Sequence, residues 1–369
     1  MSKLVHIMFV NGTSEIGGAD VDLLEICRHL DKSRFCLTVV LPKAGPLSDD
    51  FLATGAQLIY IDPAPIKRFR QPIEWISYPW RFFLAIVNLW GLIRRIKPAI
   101  VHINSAVLPS AAFAARLARV PCLWHIREIE LLQRSRIVGA FLLGCIQTFP
   151  DRIVTISISV ATSLNLASNP KVCTVYHGVD TDRFFPTDDN YEIRAKMGIP
   201  EFARVIGYVG RLAPIKGLEY LIEAFGNIHQ QFSESYLLLT GPVLSYHEYF
   251  NSLSEQVNRL GLSKYVRFIL DGPDISVIMR ALDVLVLPTI VPEGLGIVIL
   301  EGLSSGIPVI ATNQGGPEEI LNGCDAGWLV PPKDSQSITD AVFSLLKLSS
   351  CPTGKRTFSR TERLIIARA

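Results

Sequence analysis

The chain has 369 residues, a net charge of only +2, and a composition that is 49% hydrophobic and 19% charged. This composition excludes an intrinsically disordered chain, because disordered chains lack the apolar residues needed to build a core. The length is too great for one ordinary core and predicts two domains.

The N-terminus and the cysteines both indicate a cytoplasmic protein. The first residues, MSKLVHIMFVNG, form a short apolar run that contains His6 and ends in a turn signal instead of a small-residue cleavage site. We interpret this run as a first strand and not as a signal peptide. The seven cysteines are scattered and include no Cys-x-x-Cys pair, which is typical of reduced cytosolic thiols.

Short apolar runs bounded by turn residues alternate with longer helical patterns through the first half of the chain. This alternation predicts parallel strands joined by right-handed helical crossovers, and therefore an open, doubly wound α/β sheet. The predicted strands are Val5–Val10, Thr38–Leu41, Leu58–Ile61, Ile100–Ile103 and Ile153–Ile156.

Residues 67–136 are strongly basic, with twelve lysines and arginines against three glutamates. The longest hydrophobic stretch there, Phe82–Ile93, has twelve residues, which is short of the roughly 20 that span a bilayer. Aromatic residues such as Trp80 and Trp90 lie among the bases. The segment predicts either peripheral contact with an anionic membrane surface or a core helix with a solvated basic flank.

The strand pattern stops at residues 176–190, which are polar, rich in turn residues and contain Pro186. It then resumes, which predicts a second sheet of the same kind and a domain boundary near residue 185. The second set of predicted strands is Val205–Val209, Tyr236–Thr240, Val266–Leu270, Val284–Leu287 and Val309–Ala311.

These patterns predict an N-terminal domain over residues 1–185, a C-terminal domain over residues 186–348 and a loosely ordered tail over residues 349–369. The tail is basic and weakly patterned, and no well-capped helix is predicted in it. Two doubly wound sheets are expected to direct the carboxyl ends of their strands toward a shared cleft, where ligands bind in such folds.

The clearest local signal is YVGRLAPIKGLEYLIEAF at residues 208–225. A strand is predicted to end at Gly210 and a helix to begin around Gly217, with Arg211 and Lys216 in the loop between them. Free backbone amides, the positive end of a helix and two cations suit a diphosphate. The spacing of the glycines and the lysine differs from that of a P-loop.

A second signal, PEGLGIVILEGLSSGIPVIAT at residues 292–312, contains Glu293 and Glu301, which are separated by seven residues. Gly294 and Gly296 allow the chain to approach a ligand closely before a helix begins, and the N–H groups of the first helical turn are free to bind phosphate or sugar oxygens. Glu301 is predicted to lie in the body of this helix and to accept hydrogen bonds from a ribose diol.

Together these segments resemble the retaining family 4 glycosyltransferases, whose GT-B fold has two Rossmann-like domains facing a central cleft and whose sequences carry an E-x7-E motif. The resemblance extends over nearly the whole chain. Besides the E-x7-E pair it rests on IGGAD at 16–20, VHINS at 101–105, HGVDTDRF at 177–184, VGRLxxxKG at 209–217, TGP at 240–242 and NQGGPEEI at 313–320.

The resemblance implies a retaining hexosyltransferase that uses a nucleotide diphosphate-sugar as donor, requires no metal or other cofactor, and acts in cell-surface polysaccharide or glycolipid synthesis. The implied partners are this donor and a glycan or lipid-linked acceptor, with no nucleic acid. Such an enzyme is expected in the cytoplasm, at the inner face of the cytoplasmic membrane. In this family the leaving phosphate accepts the proton of the acceptor hydroxyl, so catalysis consists mostly of charge stabilisation and positioning.

The resemblance also implies roles for individual residues. Arg211 and Lys216 would neutralise the donor diphosphate, and Glu301 would hold the ribose. No residue is implied as a metal ligand. Further donor contacts are implied from the first domain by Gly17 and Gly18 and from the second by Glu293, Gly294, Leu295, Gly296 and Ile297.

One departure from the family pattern leaves a catalytic assignment open. The family usually carries a histidine two residues after the place of His125, and Arg127 occupies that place. Residues 125 and 127 point the same way in an extended segment. Either His125 therefore positions the donor sugar, or Arg127 replaces the usual histidine as a fixed cation.

Two other functions are compatible with the same motifs. A sugar-nucleotide 2-epimerase would bind the same donor without an acceptor, and a catalytically weak nucleotide-sugar-binding protein would fit the unusual ending and Arg127. Two Asp-x-Asp triplets, at residues 20–22 and 180–182, are not predicted to form a metal-diphosphate site. The first lies in a predicted helix, where residues two apart face different sides, and the second lies in the segment between the domains.

Overall fold

The computed structural model describes residues 4–15, 17–66, 72–129, 136–187, 191–270 and 274–348. The chain divides into two compact units, Met1–His177 and Gly178–Ala369. The boundary predicted near residue 185 lies inside the second of these units. The tail predicted over residues 349–369, and the parts of the basic segment at 67–71 and 130–135, lie outside the described residues.

The first unit is built on a seven-stranded parallel sheet with the order β3-β2-β1-β4-β5-β6-β7. Helices connect its successive strands, as the alternating pattern predicts. The strands are β1 Val5–Val10, β2 Phe35–Leu41, β3 Gln57–Tyr60, β4 Ile100–Ile103, β5 Cys122–Ile126, β6 Arg152–Thr155 and β7 Val172–Thr174. The helices are α1 Gly18–His29, α2 Ser48–Ala53, α3 Pro72–Ile96, α4 Pro109–Ala118, α5 Arg136–Thr148 and α6 Ile158–Ser163.

The second unit is built on a six-stranded parallel sheet with the order β10-β9-β8-β11-β12-β13. Its strands are β8 Arg204–Val209, β9 Ser235–Thr240, β10 Val266–Ile269, β11 Val284–Leu287, β12 Val309–Thr312 and β13 Gly327–Val330. Its helices are α7 Tyr191–Lys196, α8 Leu218–Gln231, α9 His247–Arg259, α10 Ile275–Ala281, α11 Ile297–Ser304, α12 Gly316–Leu321 and α13 Ser335–Leu348.

The central strands are continuous apolar runs because both faces of each sheet are covered by helices. All four residues of β11 and all four of β12 are buried. Three strands are not among those predicted from the apolar runs: the central strand β5 and the edge strands β7 and β13. β5 includes His125 among its five residues, β7 has only three residues, and β13 opens with a glycine. The predicted fold class, two doubly wound α/β sheets, is confirmed.

Helix α3 corrects one estimate made from the sequence. It has 25 residues and contains Pro79, so the helical segment is about twice as long as the apolar stretch Phe82–Ile93. By length and composition alone, Ile76–Ile96 is long and apolar enough to cross a bilayer, so the length argument against crossing does not hold. One face of α3 packs on α4, where Phe82 meets Phe113 edge-on with ring centroids 5.9 Å apart.

A fully buried ion pair joins three elements of the second unit. Arg194 of α7 and Asp283, which precedes β11, are 1% and 2% exposed and lie 2.8 Å apart, Nη2 to Oδ2. The same carboxylate accepts the N–H of Val205 in β8 at 2.8 Å. Arg194 also donates to the carbonyl oxygens of Ala203 and Ala281. The pair therefore ties α7 to the centre of the second sheet.

We expect Asp283→Asn to lower the free energy of unfolding by about 3–5 kcal/mol, because the guanidinium of Arg194 would remain buried without its counter-charge. Urea unfolding followed by circular dichroism measures this loss. Asp50→Asn, in an exposed ion pair with Arg28, is the control and should cost less than about 1 kcal/mol. Equal losses in the two variants would contradict the expectation.

Candidate functional site

Three loops meet at the carboxyl edge of the second sheet. They follow β8, β11 and β12, which are neighbouring parallel strands, so their ends lie at one edge of the sheet. Ile290 of the β11 loop donates its N–H to the carbonyl of Ile215 in the β8 loop at 2.9 Å. Gly316 of the β12 loop donates to the carbonyl of Glu293 at 2.9 Å. The loops are therefore bound to one another through their backbones.

Two glycines allow this close approach. Gly217 has a φ of +63°, and a Cβ there would lie 2.4 Å from the carbonyl oxygen of Pro288. Gly315 has a φ of +80°, and a Cβ there would lie 2.3 Å from the carbonyl oxygen of Glu293. Both positions combine a left-handed backbone with direct backbone contact, which only glycine satisfies without strain.

The charged residues of the two sequence signals come together at this edge. Lys216 Nζ lies 2.5 Å from Glu293 Oε2, and Thr289 Oγ1 donates to the same carboxylate oxygen at 3.3 Å. Thr289 is held in turn by Thr312, which donates to its carbonyl at 2.7 Å. Arg211, at the start of the β8 loop, has an exposed side chain. Lys216 and Glu293 are thus oriented by each other, and Arg211 remains accessible.

Helix α11 begins directly after these charged residues. Its N-cap is Gly296, with a φ of +81° and no side chain to cap the first turn. An uncapped N-terminus carries partial positive charge and free N–H donors. The side chain of Leu295 is buried. Any contact of Leu295 with the donor must therefore be made by its backbone.

Glu301 lies in the body of α11, as predicted, and is partly buried. Burial raises the pKa of Glu301 to about 7, against the opposing charge of Arg183, while the charge of Asp274 raises it further. Arg183 itself is paired with Asp274 at 2.6 Å. Burial therefore favours the protonated form of the Glu301 carboxyl.

The first unit has a polar network at the carboxyl edge of its own sheet. Asn11 follows β1, Asn104 follows β4 and Arg127 follows β5. These strands are neighbours, and the direction of the strand order reverses between β1 and β4, which is the switch point where doubly wound sheets bind ligands. Asn104 Nδ2 donates to Asn11 Oδ1 at 2.9 Å. The network therefore occupies the place where a ligand is expected.

Helix α1 begins at this network. Its N-cap is Gly17, its first residue is Gly18, and no side chain caps the first turn. Asp20 accepts from Asn11 Nδ2 at 2.5 Å, and burial raises the pKa of Asp20 to about 6 against this hydrogen bond and the charge of Arg127. The predicted glycine pair is therefore an uncapped helix start with a buried carboxyl close behind it.

His125 and Arg127 point into the same network, as expected for residues two apart in an extended segment. Each is 6% exposed, and Arg127 Nη2 lies 3.2 Å from His125 Nδ1. Arg127 also forms an ion pair with Asp22, which pairs with His177 as well. Burial opposes ionisation of Asp22, but the hydrogen bond from His177 and the charge of Arg127 outweigh it, so the pKa of Asp22 is lowered.

Asp22 and His177 were not predicted as site residues. From the sequence, Asp22 stands out only as part of the Asp-x-Asp triplet at residues 20–22, which is not predicted to bind a metal, and His177 only as the first residue of the motif at residues 177–184. The signal that could have found them was chemical, because a buried arginine requires a buried carboxylate somewhere in the chain. Within the described ranges, no group of three or more histidine, cysteine, aspartate or glutamate residues could hold a metal ion.

The comparisons with known proteins concern the family and the fold of the chain. Residues 16–183 match the family model described as Glycosyltransferase Family 4, and residues 189–359 match the model described as Glycosyl transferases group 1. The two matches together take in most of the chain. The chain therefore belongs to the group 1, family 4 glycosyltransferases.

Individual relatives differ in how much of the chain they share. The chain is 33% identical over 183 residues to the D-inositol 3-phosphate glycosyltransferase of Corynebacterium urealyticum. The matched region covers 48% of this chain and only 43% of that protein. It is 25% identical over 354 residues to the UDP-Gal:alpha-D-GlcNAc-diphosphoundecaprenol alpha-1,3-galactosyltransferase of Escherichia coli, covering 92% of this chain and 87% of that protein. The chain thus spans less than half the length of the inositol-phosphate relatives it matches.

A solved structure shares the whole fold. The Anabaena protein HepE in complex with UDP-glucose superimposes with a TM-score of 0.81 at 21% identity, covering 98% of this chain and 94% of that one. Similarity at this level of identity concerns the fold. Together with the two parallel sheets and the family matches, it confirms the predicted GT-B fold.

The raised pKa of Glu301 predicts a pH-dependent stability. The folded pKa of about 7 exceeds the ordinary value of 4.5, so the stabilising effect of the protonated form is complete below pH 4.5 and is lost as the pH rises through about 7. Glu301→Gln stays neutral at every pH. It should match the wild type near pH 4 and exceed its free energy of unfolding at pH 8 by about 3 kcal/mol.

Urea unfolding at the two pH values measures this difference. The matched control is Glu318→Gln on the exposed side of α12, which should follow the wild type at both pH values. If the difference in the free energy of unfolding between Glu301→Gln and the wild type is the same at pH 4 and pH 8, ionisation of Glu301 is not its cause.

Proposed function

We propose that the protein transfers a hexosyl group from a nucleotide diphosphate-sugar to a glycan or lipid-linked acceptor, with retention of anomeric configuration, in the synthesis of a cell-surface polysaccharide or glycolipid. The observation that carries the proposal is the meeting of Lys216, Glu293 and the uncapped N-terminus of α11 at one edge of the second sheet. Arg211 adds an accessible cation beside them.

This edge suits a diphosphate on electrostatic grounds. The charges of Lys216 and Glu293 balance each other, so the pair leaves the net charge unchanged while holding the ammonium group in a defined place. Arg211 and the amide donors at Ile297 and Val298 then supply positive potential for the two phosphates. The acceptor groups of Glu301 are close behind, in the same helix, where a ribose diol can donate to them.

The relatives support the choice of substrates. HepE was crystallised with UDP-glucose, which is a nucleotide diphosphate-sugar. The galactosyltransferase of Escherichia coli uses UDP-Gal as its donor and a sugar on diphosphoundecaprenol as its acceptor. We extend both to this chain as classes: a nucleotide diphosphate-sugar donor and a lipid-linked acceptor.

Retention follows, in this proposal, from a same-face displacement. The bond from the anomeric carbon to the donor phosphate breaks, the bond to the acceptor oxygen forms on the same face, and the acceptor proton passes to a phosphate oxygen. In this mechanism Glu293 orients Lys216 through Oε2, which accepts from both Lys216 and Thr289. Lys216, Arg211 and the α11 amides stabilise the charge that develops on the leaving diphosphate.

We further propose that the first unit docks on an anionic membrane through helix α3. Five apolar side chains spaced by four or three residues form one exposed stripe along the helix. They are Ile76, Trp80, Phe83, Val87 and Trp90, with exposed fractions of 75%, 64%, 54%, 41% and 40%.

The charges around the stripe complement an anionic surface. Arg94 and Arg95 lie at the C-terminal end of the stripe, whereas Arg81 is paired with Asp62 at 2.7 Å. Arg94 is placed over the ring of Trp90, 6.0 Å from the centroid. Indole rings at the level of lipid headgroups, with arginines beside them, are typical of interfacial helices. The opposite face of α3 is buried through Ala85 and Leu89, so the stripe is free to face lipid while the helix stays packed on its unit.

We expect Lys216→Ala to lower kcat/KM for the donor by about 100-fold or more, because it removes a charge-assisted contact to the leaving diphosphate. Glu301→Ala should raise KM for the donor through loss of the ribose contact. Rates are measured with purified protein, a panel of nucleotide-sugars and membrane extract, with products identified by mass spectrometry. Lys264→Ala, an exposed lysine of the same unit, is the control and should retain the wild-type rate.

The same assay separates the alternatives. Conversion of the donor to its epimer without acceptor would indicate a 2-epimerase. Donor binding in calorimetry, with neither transfer nor hydrolysis, would indicate a binding protein. Inversion at the anomeric carbon, read by proton NMR of the product, would contradict the same-face displacement while leaving the transfer itself in place.

For the membrane contact we expect the double variant Trp80→Ala/Trp90→Ala to bind vesicles of anionic phospholipid at least about tenfold more weakly, since about 1.4 kcal/mol of lost burial changes a binding constant tenfold. Vesicle co-sedimentation measures the binding. Phe202→Ala removes an equally exposed aromatic (69%) from the second unit and should leave binding unchanged. Vesicle binding that is insensitive to the tryptophans would exclude α3 as the docking surface.

A further inference from the structure

The hydrogen-bond network around Arg127 determines the protonation of two histidines. An arginine can only donate hydrogen bonds, so any histidine nitrogen that faces it must be the unprotonated, accepting one. Arg127 Nη1 lies 3.1 Å from His177 Nε2, and Arg127 Nη2 lies 3.2 Å from His125 Nδ1. His177 therefore carries its proton on Nδ1, where it donates to Asp22, and His125 carries its proton on Nε2.

Arg127 is fully engaged inside the first unit. Its Nε donates to Asn104 Oδ1 at 2.9 Å, its Nη1 faces His177, and its Nη2 faces both His125 and the carboxylate of Asp22. Its charge is balanced by Asp22, and the side chain is buried. An arginine held in this way has little capacity left to serve as a substrate-facing cation.

Unlike Arg127, His125 has a ring nitrogen that is still able to form a hydrogen bond. It is 94% buried, because only 6% of its surface is exposed, and its Nε2 has no hydrogen-bond partner among the residues that the structure describes. The network has placed the proton on that nitrogen. A buried N–H donor without a partner costs free energy comparable to a lost hydrogen bond, which a substrate oxygen at this position would recover.

We propose that Asp22 and His177 are positioning residues: together they hold Arg127 so that it fixes His125 as a neutral N–H donor whose Nε2 points to the substrate. This inference rests on the proposed transferase function. It assigns the hydrogen bond from the first unit to the substrate to His125. Arg127 then acts through His125 and has no contact with the substrate.

The same network also sets the start of α1. Asn104, which accepts from Arg127, donates through Nδ2 to the carbonyl of Ala19 at 3.0 Å. Ala19 directly follows Gly17 and Gly18. Loss of the Arg127 contacts would therefore disturb both the histidine and the glycine pair that were predicted to contact the donor.

The charges around His125 make the inference testable by pH. Burial, followed by the charge of Arg127, holds the pKa of His125 well below its usual value, and the neighbouring imidazoles of His102 and His177 contribute less. These are the titratable groups that face it, from β4, β5 and the segment after β7, and Asp22 of α1 lies behind Arg127. Arg127→Gln removes the second largest cause but keeps an amide that can donate to Nδ1, so the pKa of His125 should rise.

The first experiment reads the tautomers directly, without substrate. In protein labelled with 15N-histidine, NMR should show His125 protonated on Nε2 and His177 protonated on Nδ1. Asp22→Asn should alter both signals. His125 protonated on Nδ1 in the wild type would overturn the inference, whatever the enzyme's activity.

The second experiment reads the kinetics. Asp22→Asn should lower kcat on the order of 10- to 100-fold with KM for the donor changed less than about twofold. Arg127→Gln should give a pH–rate profile whose acidic limb lies at higher pH than in the wild type. His177→Gln, whose amide can both donate and accept, should retain more of kcat than His177→Phe, which keeps only the ring.

A matched control separates positioning from folding. Asp283→Asn also breaks a buried arginine–aspartate pair, but in the second unit, and should lower stability while leaving the kcat of the folded fraction and the pH profile unchanged. If Asp22→Asn behaves like Asp283→Asn, the network is structural only and the inference is wrong. If the wild-type protein transfers no sugar, the proposed function is wrong. The histidine tautomers read by NMR would still test whether the network fixes His125 as an N–H donor.

Discussion

The candidate donor site depends on the direct backbone contact of the loops that follow β8, β11 and β12. Gly217 and Gly315 make that contact sterically allowed, and the hydrogen bonds between the loops maintain it. Lys216 follows β8 and Glu293 follows β11, and the two side chains can pair because these loops are in contact. The cation, the carboxylate and the start of α11 are distant in sequence, and their proximity is a property of the parallel sheet order.

The two units use charge in different ways at corresponding edges of their sheets. In the second unit Lys216 is balanced by Glu293, but Arg211 is exposed beside this pair, so its positive charge is available to a ligand. In the first unit the guanidinium of Arg127 is buried and its charge is neutralised by Asp22. A buried ion pair of this kind adds little net stability, but it holds its neighbours in one arrangement. The first unit therefore offers defined hydrogen-bond geometry, and the second offers electrostatic stabilisation.

Much of the fold could be predicted because parallel strands covered on both faces are necessarily apolar runs. β1, β4 and β11 were predicted with the bounds they have in the structure. β5, which has His125 among its residues, and the short or partly buried edge strands β7 and β13 were not among the strands predicted from apolar runs. The apolar stretch Phe82–Ile93 did not indicate the full length of α3, because Arg81 interrupts the apolar residues but a charge on one side of a helix does not end the helix.

The sequence by itself determined the fold class, the motifs and the residue types at the candidate donor site, because a glycine turn, a cation and a helix start are encoded locally by neighbouring residues. Only the tertiary structure decided how these residues are paired. Arg127 contacts Asp22, which is more than 100 residues away in the sequence, and His177, which is about 50 residues away. Assigning the substrate contact to His125 or to Arg127 requires knowing which histidine nitrogen accepts a hydrogen bond from the arginine. Long-range hydrogen bonds of this kind leave no periodic trace in a sequence, since they depend on the register and order of the strands that carry them.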